Sequence, residues 1–248
     1  MHPEAPRPRA DLLIVNAAEI ITGAPAPGDP LGRRTGAALA VAGGRVLAIG
    51  PEPDQRRAYD WSTGEVLDAA GLIAAPGFVD SHTHLVFGGS RVREYAARLT
   101  HTPAEVKALG IPAGILATVS MTRAAGEDDL ALSAARRLAG MLAHGTTTVE
   151  SKSGYGLTTA DELKMLRVNG RLQASQPVDI VSTFLGAHAF PPELERERYV
   201  DLVIHEMVPR VAAEGLAEFC DVYCDDGYFT LDQTRRILEA GRAAGLKL

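Results

Sequence analysis

Up to residue 72 the apolar positions come in short runs rich in β-branched side chains, at residues 12–15, 20–22, 38–41 and 46–49. Turn residues separate them, among them Gly43-Gly44 and the proline-rich stretch 25–30. No stretch here holds ten residues of helical period, so residues 1–72 predict a small β-rich domain, a sheet or sandwich, with 51–63 as a polar excursion. From residue 73 the rhythm changes to strand, loop and helix in repetition. Residues 73–79 are apolar around Pro76-Gly77, 146–150 form a β-branched strand before a Gly-rich loop, 178–185 read as a nearly continuous buried strand, and 219–223 predict another. Helices are predicted over 161–174, where Leu163, Leu166 and Leu172 share a face, and over 199–213, where Leu202, Val203, Met207, Val208 and Val211 recur at helical spacing. A third is predicted over 231–243, with Thr230 as its N-cap and Gly245 as its stop.

Apolar strands alternating with helices predict a parallel sheet covered on both faces. An open doubly wound sheet and a closed (β/α)8 barrel both meet that description, and the lack of a G-x-G-x-x-G after a strand favours the barrel. Residues 73–248 fall short of the roughly 250 residues of a typical barrel, and about four βα units can be counted. Residues 245–248 read as a helix stop followed by the first residues of another strand. The reading is therefore an incomplete α/β TIM-like barrel over 73–248, truncated at its end and preceded by a small β-sandwich domain. A chain that stopped there would leave an open parallel edge, an aggregation liability, and would be a non-catalytic fragment.

Composition narrows the class. A chain 46% hydrophobic and 23% charged is neither disordered nor fibrous. Its net charge of −6, from 25 basic and 31 acidic residues, provides no basic face for nucleic acid or a membrane surface. Two cysteines cannot build a disulfide framework and fit a reducing compartment. Residues 1–11 are polar with no apolar segment behind them, and no apolar run approaches the ~20 residues of a membrane span. These features predict a cytoplasmic globular protein.

The sharpest chemical motif is Pro76-Gly77-Phe78-Val79-Asp80-Ser81-His82-Thr83-His84-Leu85. Side chains two apart on a strand share a face, so His82 and His84 are about 7 Å apart and can converge on one metal ion at a strand's C-terminal end. The plainer alternative is two partly exposed histidines at a strand end.

These residues resemble the amidohydrolase superfamily, together with the β-rich preamble, Gly44-Arg45-Val46-Leu47-Ala48-Ile49-Gly50 and Asp68-Ala69-Ala70-Gly71. More narrowly, Val86-Phe87-Gly88-Gly89-Ser90-Arg91, the string Val149-Glu150-Ser151-Lys152-Ser153-Gly154-Tyr155-Gly156-Leu157, and Leu185-Gly186-Ala187-His188-Ala189 resemble the imidazolonepropionases of histidine degradation. The resemblance implies hydrolytic opening of 4-imidazolone-5-propanoate to N-formimidoyl-L-glutamate with one divalent metal ion, zinc or iron. It implies His82 and His84 as metal ligands, with a further His and an Asp past residue 248. Arg91, Tyr155 and His188 match substrate-binding residues, and His188 is also matched as catalytic. A guanidinium offers bidentate recognition of a carboxylate, and His188 ends a strand on the face where barrel chemistry occurs. A small-molecule substrate and a homodimer are the expected partners.

One departure stands out: residues 100–115 lack the tyrosine and the glycine run usual in that family, keeping only Gly114, and are expected to form a loop at the mouth of the site. Lys152 reads as structural, Cys220 and Cys224 lack a second pair for zinc, and Asp225-Asp226 reads as a solvated turn. His2, His101, His144 and His205 have no partner motif. The competing enzymatic reading is another cyclic amidohydrolase or aminohydrolase of the same superfamily.

Overall fold

The computed structural model describes residues 7–248; His2 and the first residues of the polar N-terminal stretch lie outside them. The chain divides into two compact units, with the boundary after Pro76.

Among the described residues the first unit holds β1 (Leu12–Val15), β2 (Glu19–Ile21), β3 (Arg33–Arg34), β4 (Ala37–Ala42), β5 (Arg45–Pro51), α1 (Glu52–Ala58), β6 (Glu65–Asp68) and β7 (Ile73–Ala74). They form two sheets, ordered β5-β4-β1-β6 and β3-β2-β7. The Gly43-Gly44 pair, both with positive φ, turns β4 into β5, a conformation glycine adopts without strain. Alternation buries Leu13, Val15, Ala38 and Ala40, and Ile20 of the smaller sheet packs with Ile14, Leu39 and Ile49 of the larger. The polar excursion contains α1, which is too short to register as a helical period. Glu52 and Asp54 lie in its first turn and Arg56 and Arg57 in its last, with Arg56 reaching Glu52 at 2.7 Å.

The second unit is built on β8 (Phe78–Thr83), β9 (Thr146–Lys152), β10 (Asp179–Ala187) and β11 (Phe219–Val222). All pair parallel, in sequential order. Between β8 and β9 run α2 (Val92–Arg98), α3 (Pro103–Ala108), α4 (Gly114–Ala124) and α5 (Glu127–Ala143); α6 (Thr159–Ser175) joins β9 to β10. A broken helix, α7 (Arg196–Leu202) and α8 (Val208–Ala213), precedes β11, and α9 (Leu231–Ala243) follows it. Four parallel strands, each followed by helix, make this unit an incomplete α/β barrel. Its core lies between sheet and helices: Phe184 and Cys220 against Val203, Met207 and Ile237, and Val149 against Leu138, Met165 and Val168.

Three stretches differ from the sequence expectation. The apolar run 73–79 is two strands, because Pro76 interrupts it: Ile73–Ala74 pairs with β2, and Phe78–Thr83 opens the parallel sheet. The helix expected over 199–213 contains a π turn, Val203–Met207, immediately before α8, whose first turn holds Pro209. Proline has no N–H and crowds the carbonyl four residues earlier, which an α-helix cannot absorb. Residues 100–115 are not all loop: Thr102 and Glu105 form a reciprocal capping box that starts α3, and α4 begins at Gly114. The helix over 231–243 is observed with those bounds, capped by Thr230 and Gln233, and past Gly245 Lys247 bridges Phe219 in parallel register.

Candidate active site

Each parallel strand delivers its chemistry at the C-terminal end. His82 lies on the last turn of pleat in β8 and is exposed; His84 lies just past the strand's end and is half-buried. Their rings are 6.2 Å apart, so the alternation that aligns them along the strand also makes them converge in space. One residue past the end of β10, His188 stacks on His84 with ring centroids 4.6 Å apart and planes 10° from parallel. Tyr155, from the loop after β9, lies 4.6 Å from His84 and 5.2 Å from His188. Tyr223, following β11, sets its ring edge-on to His188 at 5.8 Å.

The loop carrying Tyr155 has an unusual backbone. Gly154 has φ of 110° and Leu157 has φ of 53°. A Cβ at Gly154 would come within 2.8 Å of His188 Cβ and Nδ1, so only glycine lets the two segments approach. The approach is used: the Gly154 carbonyl lies 3.1 Å from His188 Nδ1. A carbonyl only accepts, so that nitrogen carries the proton and Nε2 is left free as an acceptor. Beneath the loop, the buried Glu162 carboxylate accepts hydrogen bonds from the backbone N–H groups of Gly154, Gly156 and Leu157 at 2.7–2.9 Å.

Burial governs the protonation of the cluster. It pushes the His84 pKa down to about 3, helped by the nearness of His188 and His82. Burial lowers His188 as well and raises the Tyr155 phenol, against the pull of Arg91. At neutral pH His84 and His188 are therefore neutral and the Tyr155 phenol protonated. His84 Nδ1 is buried with no hydrogen-bond partner. An orphaned imidazole nitrogen beside a second imidazole suits a cation, and His82 and His84 can each give it one nitrogen. Among the described residues no group of three His, Cys, Asp or Glu side chains is placed to hold a metal ion.

Arg91 sits at the N-terminus of α2 and is exposed. It shares a cavity of about 280 Å3 with Phe87, Ser90, Thr118, Met121 and Tyr155. Its Nε lies 3.4 Å from Glu94, a buried carboxylate that also pairs with Arg98 at 2.8 Å and accepts from the Gly114 N–H. Gly114 is thus tied through Glu94 to the segment that presents the arginine.

Lys152 is buried and bonded to Glu150 at 2.7 Å and Asp221 at 3.0 Å, while Thr183 also donates to Glu150. Burial works against its charge, yet the two carboxylates outweigh it and raise its pKa above the ordinary lysine value. It is a paired ammonium, not a free amine. Cys220 is buried and Cys224 exposed, and His101 and His144, each just past a helix end, bond to backbone carbonyls of the helices they follow. Asp225 accepts from the Tyr223 hydroxyl.

Sequence reasoning passed over Glu162, Glu94 and Tyr223. A glutamate in the first turn of α6, directly after a Gly-rich loop, was the available clue to the first. Position after a strand's C-terminal end was the clue to Tyr223. Nothing in the sequence singled out Glu94.

No profile of a known protein family matches the chain. Among curated proteins, the imidazolonepropionase of Geobacillus kaustophilus is 50% identical over 207 residues, 82% of this chain and 49% of that protein. The imidazolonepropionase of Chromobacterium violaceum is 47% identical over 247 residues, 98% of this chain and 58% of that protein. The chain spans about half the length of the curated relatives it matches. Among solved structures, an atrazine chlorohydrolase from Arthrobacter aurescens complexed with zinc superposes with a TM-score of 0.56 at 17% identity, over 94% of this chain and 58% of that one. An uncharacterized metal-dependent hydrolase from Pyrococcus furiosus gives 0.57 at 13% identity, over 95% and 65%. At such identities these likenesses concern the fold.

Proposed function

We propose that the chain, which spans about half the length of its imidazolonepropionase relatives, belongs to a protein that hydrolyses 4-imidazolone-5-propanoate to N-formimidoyl-L-glutamate with one divalent metal ion, zinc or iron. The observation that carries this reading is the convergence of the His82, His84, Tyr155 and His188 rings from three strand ends, beside a cavity that Arg91 and Tyr155 share. Within the reading, His82 and His84 hold the metal, and two more donors come from outside the residues described. When bound, such an ion supplies Lewis-acid chemistry, polarising a carbonyl and acidifying water.

The chain's own groups bind and orient the substrate. The Arg91 guanidinium takes the propionate carboxylate in a bidentate, charge-assisted pair. Tyr155, its phenol kept protonated by burial, donates a hydrogen bond to the substrate. His188, anchored through Nδ1 on Gly154, turns Nε2 toward the site, where it accepts from a ring N–H and can take up and return a proton. Water oxygen adds to the ring carbon, the carbon–nitrogen bond breaks, and the departing nitrogen gains a proton. The enzyme's setting in this reading is the cytoplasm, as a homodimer acting on a small molecule; no helix among the described residues is long and apolar enough to cross a membrane.

Product analysis tests the proposal against the sibling aminohydrolases. Ring opening adds one water and releases no ammonia. Incubation of the metal-supplemented full-length protein with 4-imidazolone-5-propanoate should give a product heavier by one water, without ammonia. Ammonia release, or an unchanged substrate in the presence of folded, metal-loaded protein, would overturn the assignment.

A further inference from the structure

Resting on that reading, we infer that Glu162 is a positioning residue of the reaction: its buried carboxylate cages the 154–157 backbone and thereby sets both Tyr155 and His188. The side chain is fully buried and touches neither the cavity beside Arg91 nor the imidazole pair. One oxygen accepts from Gly154 N at 2.9 Å; the other accepts from Gly156 N at 2.7 Å and Leu157 N at 2.8 Å. Three backbone donors from one loop on one carboxylate is more than helix capping needs, and α6 already has its cap in Thr158.

The loop needs such a constraint. Leu157, a non-glycine residue at φ 53°, occupies a left-handed backbone region that persists only when its surroundings over-determine it. Arg123 completes the cage from the other side, donating from Nε to the Gly156 carbonyl at 2.7 Å. Held in this shape, the loop does two things at once. It points the Gly154 carbonyl at His188 Nδ1, and it lays the Tyr155 ring against His84 and His188. Releasing Glu162 therefore loosens two substrate-facing rings together.

The chemistry of the cage calls for a carboxylate. Burial pushes the Glu162 pKa up, opposed by hydrogen bonds from the Ser153 side chain and from the Leu157, Gly156 and Gly154 N–H groups; with every neighbour a donor, an acceptor-only carboxylate is the form that fits the cage. Glutamine keeps one acceptor oxygen but turns an NH2 group against a backbone donor, so Glu162→Gln preserves shape while breaking part of the cage. Asn169 provides the matched control. It lies on the same helix, is buried, and bonds to Ser151 of β9 through its donor and its acceptor, without contact to the loop.

The experiment compares the metal-loaded full-length protein with its Glu162→Gln, Glu162→Asp and Asn169→Ala variants. Steady-state ring opening, thermal unfolding and amide hydrogen exchange over residues 153–158 are measured on each. Glu162→Gln is expected to lower kcat about 10- to 100-fold, as expected for misplaced catalytic groups, with a smaller rise in KM. Its loop amides should exchange about tenfold faster, whereas Asn169→Ala keeps kcat and loop exchange within about twofold at comparable loss of Tm. Glu162→Asp, which keeps the charge one methylene short, should recover part of kcat, and it decides the matter if Glu162→Gln does not fold. Parent-like kcat and loop exchange in the folded Glu162 variants would overturn the inference, as would an equal kcat loss in Asn169→Ala at matched stability. A parent without turnover would sink the proposed activity instead, and the exchange comparison would then decide the cage by itself.

Discussion

The imidazoles of His84 and His188 lie face to face, centroids 4.6 Å apart and planes 10° from parallel, although 104 residues separate them in the chain and each belongs to a different strand end. Such a stack requires at least one ring to be neutral, and burial makes both so. It also fixes His188 between a ring and a carbonyl. Replacing His188 with Phe keeps a flat ring but removes the donor to Gly154. The expected result is a fall in kcat of about 10²–10⁴-fold, the range for a lost acid–base group, with a stability loss of only about 1–2 kcal/mol. Steady-state assays and urea unfolding measure the two, and kcat within threefold of the parent would contradict the role given to His188.

Arg91 is held by Glu94 at the rim of the cavity that Tyr155 lines. If its guanidinium takes the substrate carboxylate, Arg91→Ala should raise KM about 10- to 100-fold, the worth of a hydrogen bond to a charged group, while kcat changes little. Arg91→Lys should recover part of the loss, because a point charge replaces the charge but not the planar fork. A kcat defect at unchanged KM would assign Arg91 to the chemical step instead.

Gly154 is the position where backbone conformation and ring placement depend on each other most closely. Alanine there must adopt φ of 110° and push its Cβ against His188 and the Leu185 carbonyl, each at 2.8 Å. Strain of this kind costs about 1–3 kcal/mol. Urea denaturation of Gly154→Ala should show a loss at or above that range, together with loss of turnover; a change below about 0.5 kcal/mol would mean that the loop adopts another shape in solution.

The sequence made parts of this arrangement readable and left others hidden. His82 lies near the C-terminal end of β8, and His84, Tyr155 and His188 follow strand ends, so the strand pattern puts them near one end of a parallel sheet, while the role of Tyr155 came from the family resemblance. Thr230 to Gly245 was equally plain, because cap, period and stop agree there. Glu162 was not readable, since its partners are backbone N–H groups of a loop, and no pattern of side chains records those. The helix α3 was missed for a different reason: its signature, Thr102 to Glu105, is a capping box at the head of only six residues, below the length at which period can be detected. The π turn before Pro209 belongs with it, being a local adjustment to one missing N–H inside an otherwise regular helix.

Acid should unfold the metal-free protein partly through His84. Its folded pKa of about 3 lies below the unfolded value of 6.5. Between those values the unfolded chain binds more protons, so stability rises with pH and is lost as pH falls from 6.5 toward 3. Urea midpoints of chelator-treated protein should drop from pH 7 to pH 4, and His84→Gln should flatten that drop. An equal slope in the variant would show that other groups govern the acid response.

We propose that a metal ion held through His82 and His84 is required for ring opening by the surrounding residues. The most direct measurement follows the ultraviolet absorbance of 4-imidazolone-5-propanoate with full-length protein stripped of metal, then restored with zinc or iron, beside His82→Ala and His84→Ala. The expected result is turnover lost on stripping, regained on restoration, and absent from both variants whatever metal is supplied. Undiminished turnover by the stripped protein, or by either variant, would contradict the claim.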